Sequence, residues 1–374
     1  MGAGLDGMGL NLWSSAVSAL WVAAGRHLIQ ATLVSGVLFG VVLLLARGPA
    51  RLRHALCLVA SLKFLLPSAL LLAVAALFGL DLPSLSGALH SHLGGPFGEL
   101  FRWLLVGGEP ATAGTGGAVS LLVTLWLAGV AWLSIRWIRR HRAFGRAVRA
   151  GRVLESGREM ETLERWRRRL GLRRPVALVV SDRLPEPGVW GVLQPAVVLP
   201  AGVAEHLDGA ELEAVILHEM VHVRRWDNLV ATVQRALCCL FWFHPLPWVL
   251  ERRLLVERER VCDERVVALS GAAGPYARGL LKVLRLGVGL RPVGVSAATA
   301  SNLKSRIERI RTGAGRRAWP SWVQVGLVAA GVGLLLVVSV MAVRPCTGGR
   351  GSARVEKAAA HAGVAPCSKG QKVG

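Results

Sequence analysis

The chain has 374 residues, is 53% hydrophobic and has a mean hydropathy of +0.47, too apolar for an ordinary water-soluble protein and long enough for two domains. Its formal net charge of +22 would suit a nucleic-acid partner. The arginines, however, gather beside apolar stretches, with no nucleic-acid-binding motif or aromatic interleaving, so the charge points to a lipid bilayer and direct nucleic-acid binding is set aside.

In chain order, Leu10–Ala24 is apolar and ends at Arg26-His27, as an interfacial lead-in helix or the start of the first span. No positive charge precedes it, unlike a signal peptide. Four stretches are long enough to cross about 30 Å of hydrocarbon: Leu28–Ala46, His54–Leu80 with a bend near Pro67, Ala118–Ile135 and Val323–Val343. Arg47, Arg51 and Arg53 follow the first, Arg136, Arg139, Arg140 and Arg142 follow the third, and Arg306, Arg309, Arg311, Arg316 and Arg317 precede the fourth. The segment 81–117 is nearly free of basic residues, carrying Asp81, Glu99 and Glu109 against Arg102. This asymmetry predicts an outer N-terminus, an outer loop at 81–117, a cytoplasmic domain at 136–322 and an outer tail at 344–374 that is disordered. The expected fold class is a multi-span α-helical membrane protein with a cytoplasmic, mainly α (α+β) domain. Residues 1–135 form the N-terminal membrane region and 323–343 the last span.

Within the cytoplasmic part, a helix continues from the third span and a second covers 159–170. Pro175–Ser181 and Ala196–Leu199 have strand character, separated by a turn at Leu184–Gly188. A helix follows over Glu211–Val223, containing His218-Glu219-Met220-Val221-His222. Positions i and i+4 share a helical face, so His218 and His222 can offer two imidazoles to one Zn2+ ion, and Glu219 is placed to handle the proton of an attacking water. A zinc site needs a third ligand. The apolar stretch Leu229–Leu250 supplies the return, with helices expected at 227–242 and Leu246–Leu269, and on the latter Glu259 and Asp263 stand at i and i+4. Alone, Glu257–Arg265 reads as a solvent-facing helix with intrahelical ion pairs. Beside H-E-x-x-H it supplies Glu259 as third ligand and Asp263 as a partner that orients a histidine, with Asp227 a second orienter. Zinc peptidases commonly hold substrate as an added strand, and that edge is expected at Trp190, Gly191 and Val192. Tyr276 and Arg278 are the candidates to steady the oxyanion. Cys262 is expected as a small buried side chain rather than a thiolate ligand, and Cys57, Cys238 and Cys239 as reduced thiols. Cys346 and Cys367 fall in the outer tail, where two cysteines can pair.

The run His218–Asn228 resembles the H-E-x-x-H-x-x-R-x-D-N signature of the M56 peptidases, membrane metallopeptidases related to BlaR and MecR. Phe241–Trp248 is similar to their F-W-F-N-P-x-x-W, with His244 where Asn is usual, a candidate extra metal or proton group. Glu259–Glu264 is similar to E-x-A-C-D-E with Val261 for Ala, and Gly188–Pro200 to the strand region before the zinc helix. The resemblance covers roughly 30–345. It implies that the cytoplasmic domain is a zincin-like metallopeptidase domain, held in the bacterial cytoplasmic (inner) membrane, and that the chain is a zinc endopeptidase cleaving a cytoplasmic DNA-binding repressor or signalling protein in response to an envelope signal. The family's antibiotic sensors carry a large extracellular penicillin-binding domain after the last span, whereas about thirty residues are expected outside here, without an S-x-x-K motif. A signal is therefore expected through the 81–117 loop, the spans, the tail or a partner. Self-cleavage in the Arg311–Ala318 linker and a homodimer are further readings. The competing classes are a quality-control membrane protease and a catalytically silent receptor or scaffold.

Overall fold

The computed structural model describes residues 3–67, 116–289, 297–313 and 319–341. Most of the expected second span beyond Pro67, the loop at 81–117, the centre of the Arg311–Ala318 linker and the cysteines of the tail lie outside them.

The chain opens with one helix, α1 (Ala3–Leu44), so the lead-in segment and the first span are continuous. No proline interrupts it before Pro49. A tight turn then leads into α2 (Ala50–Leu65), with Pro49 as the extended residue before its first turn. The helix stops where Pro67 biases Leu66 out of the helical region, to φ −108° and ψ 91°. The next described helix is α3 (Gly116–Arg149), which carries the third expected span straight into the basic segment that follows. The last is α11 (Ser321–Met341).

Among the described residues three helices are long and apolar enough to cross a membrane, over Ala23–Leu44, Ser120–Arg149 and Ser321–Ser339. On α3 that segment buries almost nothing and exposes Leu121, Leu125, Trp132 and Ile135. Such a surface is costly in water and suits a bilayer. Helices α1, α2 and α11 share a core of Ala31, Val34, Leu38, Leu56, Leu335 and Val338. Gly331 brings α11 close to Leu38 and Leu56, where an added Cβ would lie 3.3 and 3.4 Å from their methyls.

The second core lies around a four-stranded sheet. After β1 (Arg152–Val153) and α4 (Arg158–Arg169) come β2 (Ala177–Ser181), β3 (Gly188–Trp190) and β4 (Ala196–Pro200). The order is β1-β2-β4-β3, with β2 and β4 parallel at the centre and antiparallel strands at both edges. All five residues of β4 are buried, as suits a central strand covered on both faces. A short helix, α5 (Val203–His206), leads to α6 (Gly209–Arg225), whose Leu212, Ile216, Leu217 and Met220 pack with Leu178, Val197 and Leu199 of the sheet.

Helix α6 starts in a reciprocal cap. The Asp208 carboxylate accepts from the Glu211 N–H at 2.8 Å and the Glu211 carboxylate accepts from the Asp208 N–H at 3.2 Å. It ends at Trp226, the only non-glycine residue with positive φ (59°) among the described residues. The Arg174 guanidinium lies 3.8 Å from the Trp226 ring centroid and donates to the Val223 carbonyl at 2.6 Å, fixing this uncommon conformation.

Helix α7 (Asp227–Leu240) begins at the next residue. The helices expected at 227–242 and Leu246–Leu269 are present, α7 ending at Leu240 and α8 (Pro245–Ser270) beginning after a turn, so the apolar stretch Leu229–Leu250 is divided between them. His244 caps α8 through Nδ1, which accepts the Leu246 N–H at 3.2 Å, and Pro245 occupies the first helical position, where its missing N–H costs nothing. The other ring nitrogen of His244 is 2.9 Å from the Thr32 hydroxyl on α1. Helices α9 (Ala273–Gly289) and α10 (Ala297–Thr312) complete the domain.

Candidate metal centre

His218, Glu219 and His222 lie on the buried length of α6, facing a cavity of about 710 Å³. Glu259 reaches the same point from α8. The Nε2 atoms of His218 and His222 are 3.2 Å apart, and the two Glu259 carboxylate oxygens lie 3.5 Å from the first and 3.8 Å from the second. Ligands about 2.0 Å from a tetrahedral zinc ion are separated by about 3.3 Å, so the three side chains already have the spacing of one coordination sphere.

The outer nitrogens of the imidazoles explain why the inner ones face each other. His222 Nδ1 donates to Asp227 Oδ2 at 2.7 Å. His218 Nδ1 donates to the Tyr276 hydroxyl at 2.8 Å, and that hydroxyl donates to Asp263 Oδ1 at 2.5 Å. With both protons committed outward, two Nε2 lone pairs meet at hydrogen-bonding distance with no proton between them. That repulsion is relieved by a cation, and the donor set fits one.

Four expectations need correction. Asp263 does not bond a histidine directly. It stands 3.7 Å from His218 Nδ1, with the Tyr276 hydroxyl bridging the two. Tyr276 lines the cavity, but its single proton goes to Asp263, so it is an orienter of His218 and not a free donor to an oxyanion. Arg278 pairs with Glu211 at 3.2 Å, near the start of α6, and does not line the cavity. Of the expected edge at Trp190, Gly191 and Val192, Trp190 ends the edge strand β3 and the other two lie beyond it. Gly191 turns the chain at φ 85°, where a Cβ would lie 2.4 Å from the Gln194 carbonyl, and Trp190 stacks on His141 and Phe144 of α3 with centroids at 4.3 and 5.3 Å. The cavity is bordered instead by Glu186, Pro187, Gly188 and Val189.

Burial dominates the electrostatics. It pushes the Glu219 carboxyl up to about 7, against the opposing pull of His222. At Glu259 burial also pushes upward, but the neighbouring imidazoles of His218 and His222 and the Arg306 guanidinium outweigh it and hold the carboxyl well below its usual range. Cys262 is fully buried, with Sγ 3.4 Å from His222 Nδ1, and burial raises its thiol well above the usual value, as expected for a neutral packing group. Cys57, Cys238 and Cys239 are likewise free and buried. His244 belongs to neither metal-competent cluster of the described residues.

Two cavity-lining residues have no role assigned from sequence. Arg306 on α10 grips Asp263 with two bonds of 3.0 and 2.7 Å and approaches Glu259 at 3.3 Å. Asn228, the last residue of the signature, donates its amide to the carbonyls of Val189 and Gly191, both at 3.0 Å, so the end of the metal-binding helix pair is pinned to the edge strand.

Apolar membrane-length helices joined to a domain with a His-Glu-x-x-His helix define a membrane metallopeptidase. The chain belongs to the M56 peptidase family: the family model described as BlaR1 peptidase M56 matches residues 107–310, more than half of the chain, taking in α3 to α9 and most of α10. It is similar to Regulatory protein BlaR1 of Bacillus licheniformis, 24% identical over 148 residues, which are 40% of this chain and 24% of that protein. It is also similar to the Methicillin resistance mecR1 proteins of Staphylococcus aureus and Staphylococcus epidermidis, each 28% identical over 97 residues, 26% of this chain and 17% of those proteins. The matches thus span a quarter or less of these relatives' length.

Proposed function

We propose that the chain is a zinc endopeptidase of the bacterial cytoplasmic membrane that cuts a cytoplasmic repressor or signalling protein in response to an envelope signal. The observation that carries this reading is the pair of Nε2 atoms 3.2 Å apart beside Glu259, with the buried Glu219 in the same cavity. In this reading His218, His222 and Glu259 hold the ion. Bound zinc supplies an acidified water and polarises the scissile carbonyl. Glu219 takes the proton of the attacking water and delivers it to the departing amine nitrogen, a task for which a carboxyl near neutrality is suited. Asp227, and Asp263 through Tyr276, keep the imidazole protons outward.

The substrate is read as an extended peptide laid along Glu186–Val189, where the strand edge borders the cavity and where Asn228 holds the Val189 carbonyl at the end of the stretch. Val215, Leu280, Val283 and Leu284 line the cavity and favour an apolar substrate side chain. The basic run Arg136–Arg149 at the end of α3 supports a cytoplasmic position for the domain. The regulatory assignment draws on the names of the BlaR1 and mecR1 relatives.

The test compares new protein N-termini in cells carrying the natural chain and cells carrying Glu219→Gln, with and without cell-envelope stress. A few cytoplasmic cleavages centred on one DNA-binding protein, lost in the variant, are expected. Many scattered cleavages would instead identify a quality-control protease, and identical N-termini in both strains would favour a silent receptor.

A further inference from the structure

Two adjacent residues at the start of α2, Arg53 and His54, reach the surroundings of the metal site by separate routes. Arg53 is buried and bonds Glu257 through Nε at 2.9 Å and Nη2 at 2.8 Å. Its remaining nitrogen, Nη1, donates to the carbonyls of Leu45 (3.3 Å), Ala46 (3.0 Å) and Gly48, which end α1 and form the turn to α2. One guanidinium therefore ties the α1–α2 turn to α8. Glu257 is fully buried, also takes Arg253 and Arg260 at 2.9 Å each, and stands two residues before Glu259 on the same helix.

The second route is a chain of contacts. His54 Nε2 accepts from Arg225 Nη2 at 3.3 Å, Arg225 Nε donates to both Asp227 oxygens at 3.2 and 3.3 Å, and Asp227 accepts from His222 at 2.7 Å. A metal site holds its ion only while its ligands keep their spacing, and the groups behind the ligands set that spacing. A buried ion pair such as Arg53–Glu257 adds little net stability against apolar residues of similar size, whereas its geometry is specific.

We propose that Arg53 and His54 are positioning residues of the metal centre: the turn of the α1–α2 membrane hairpin sets the placement of Glu259 through Glu257, and of His222 through Arg225 and Asp227. The inference rests on the metal-site reading above. It makes the hairpin a route by which a shift within the membrane alters metal affinity without any contact to the metal.

The test measures zinc affinity by chelator competition on the full chain in detergent micelles, with thermal unfolding of the metal-free chain alongside. The double variant Arg53→Met/Glu257→Met replaces the pair with apolar chains. It is expected to bind zinc about 10- to 100-fold more weakly, and the metal-free chain to unfold at a lower temperature because Arg253, Arg260 and the turn carbonyls lose partners, so His54→Phe is the variant that separates positioning from stability. His54→Phe leaves Glu257 paired and is expected to weaken zinc by about fivefold or more, a smaller loss because its contact is three bonds from the ligand. Arg53→Lys should recover part of the affinity lost in Arg53→Met. If the double variant fails to fold, His54→Phe decides alone. Zinc affinity within twofold of the natural chain in the folded variants would overturn the coupling. A natural chain that holds zinc no better than His218→Ala would overturn the metal reading and this inference with it.

Discussion

Asp227 accepts the Nδ1 proton of His222 at 2.7 Å across a helix break of a single residue. Trp226 takes the left-handed conformation at that break, so α7 starts at once and Asp227 comes back beneath the histidine five positions earlier. A carboxylate can only accept, which fixes the proton on Nδ1 and leaves Nε2 for the metal. An asparagine can donate instead and place the proton on Nε2. Asp227→Asn is therefore expected to bind zinc about 10- to 100-fold more weakly, measured by chelator competition. Unchanged affinity would mean that the tautomer is set elsewhere.

Tyr276 separates two roles that one substitution can tell apart. As an orienter, its hydroxyl links His218 Nδ1 to Asp263, and Tyr276→Phe leaves both without that partner. The expected result is about tenfold weaker zinc binding and about 1–3 kcal/mol lower stability from the buried His218 Nδ1–H left unpaired, since Asp263 keeps its two bonds from Arg306. A direct role in catalysis would instead leave zinc affinity intact and slow cleavage.

Helix α6 with its two histidines is legible in the sequence because its chemistry is local. His218 and His222 need only helical periodicity to share a face, and Asp208 and Glu211 mark the helix start by their spacing. The cluster with Glu259 followed once a third ligand was required. The break between α7 and α8 falls inside the apolar stretch Leu229–Leu250 and is legible there because His244-Pro245 is a helix-start pair. The link from Tyr276 to His218 and the grip of Arg306 on Asp263 span 58 and 43 residues and arise from helix packing that periodicity does not encode. Gly191 was read as strand, and its positive φ makes it the turn that moves the usable edge toward Glu186–Val189.

Asn228 holds the edge strand, and its removal should loosen that strand without disturbing the metal. Asn228→Ala frees the carbonyls of Val189 and Gly191. Two net hydrogen bonds of about 1 kcal/mol each are lost, so amide exchange across β3 is expected to quicken by about tenfold or more, with zinc affinity within a few-fold of the natural chain. Mass-resolved hydrogen exchange reads the first quantity and chelator competition the second. Unaltered exchange at Gly188–Trp190 would show that β4 alone secures the strand.

The pH dependence of folding should carry the signature of Glu211. Burial pushes its carboxyl upward, but Lys282 at 2.6 Å, the Asp208 N–H and Arg278 at 3.2 Å together hold it below the ordinary value. A carboxyl depressed in the folded state stabilises fully above the unfolded pKa of about 4.3, and that contribution falls away as pH drops through the folded pKa, because the unfolded chain takes up the proton more readily. Glu211→Gln removes the titration while keeping the size of the side chain. The thermal midpoint of the natural chain is expected to fall between pH 5 and pH 3 more steeply than that of the variant, with the variant already lower at pH 7. Parallel acid limbs for the two chains would show that the ion pairs of Glu211 with Lys282 and Arg278 are screened by solvent and do not govern the start of the metal-binding helix.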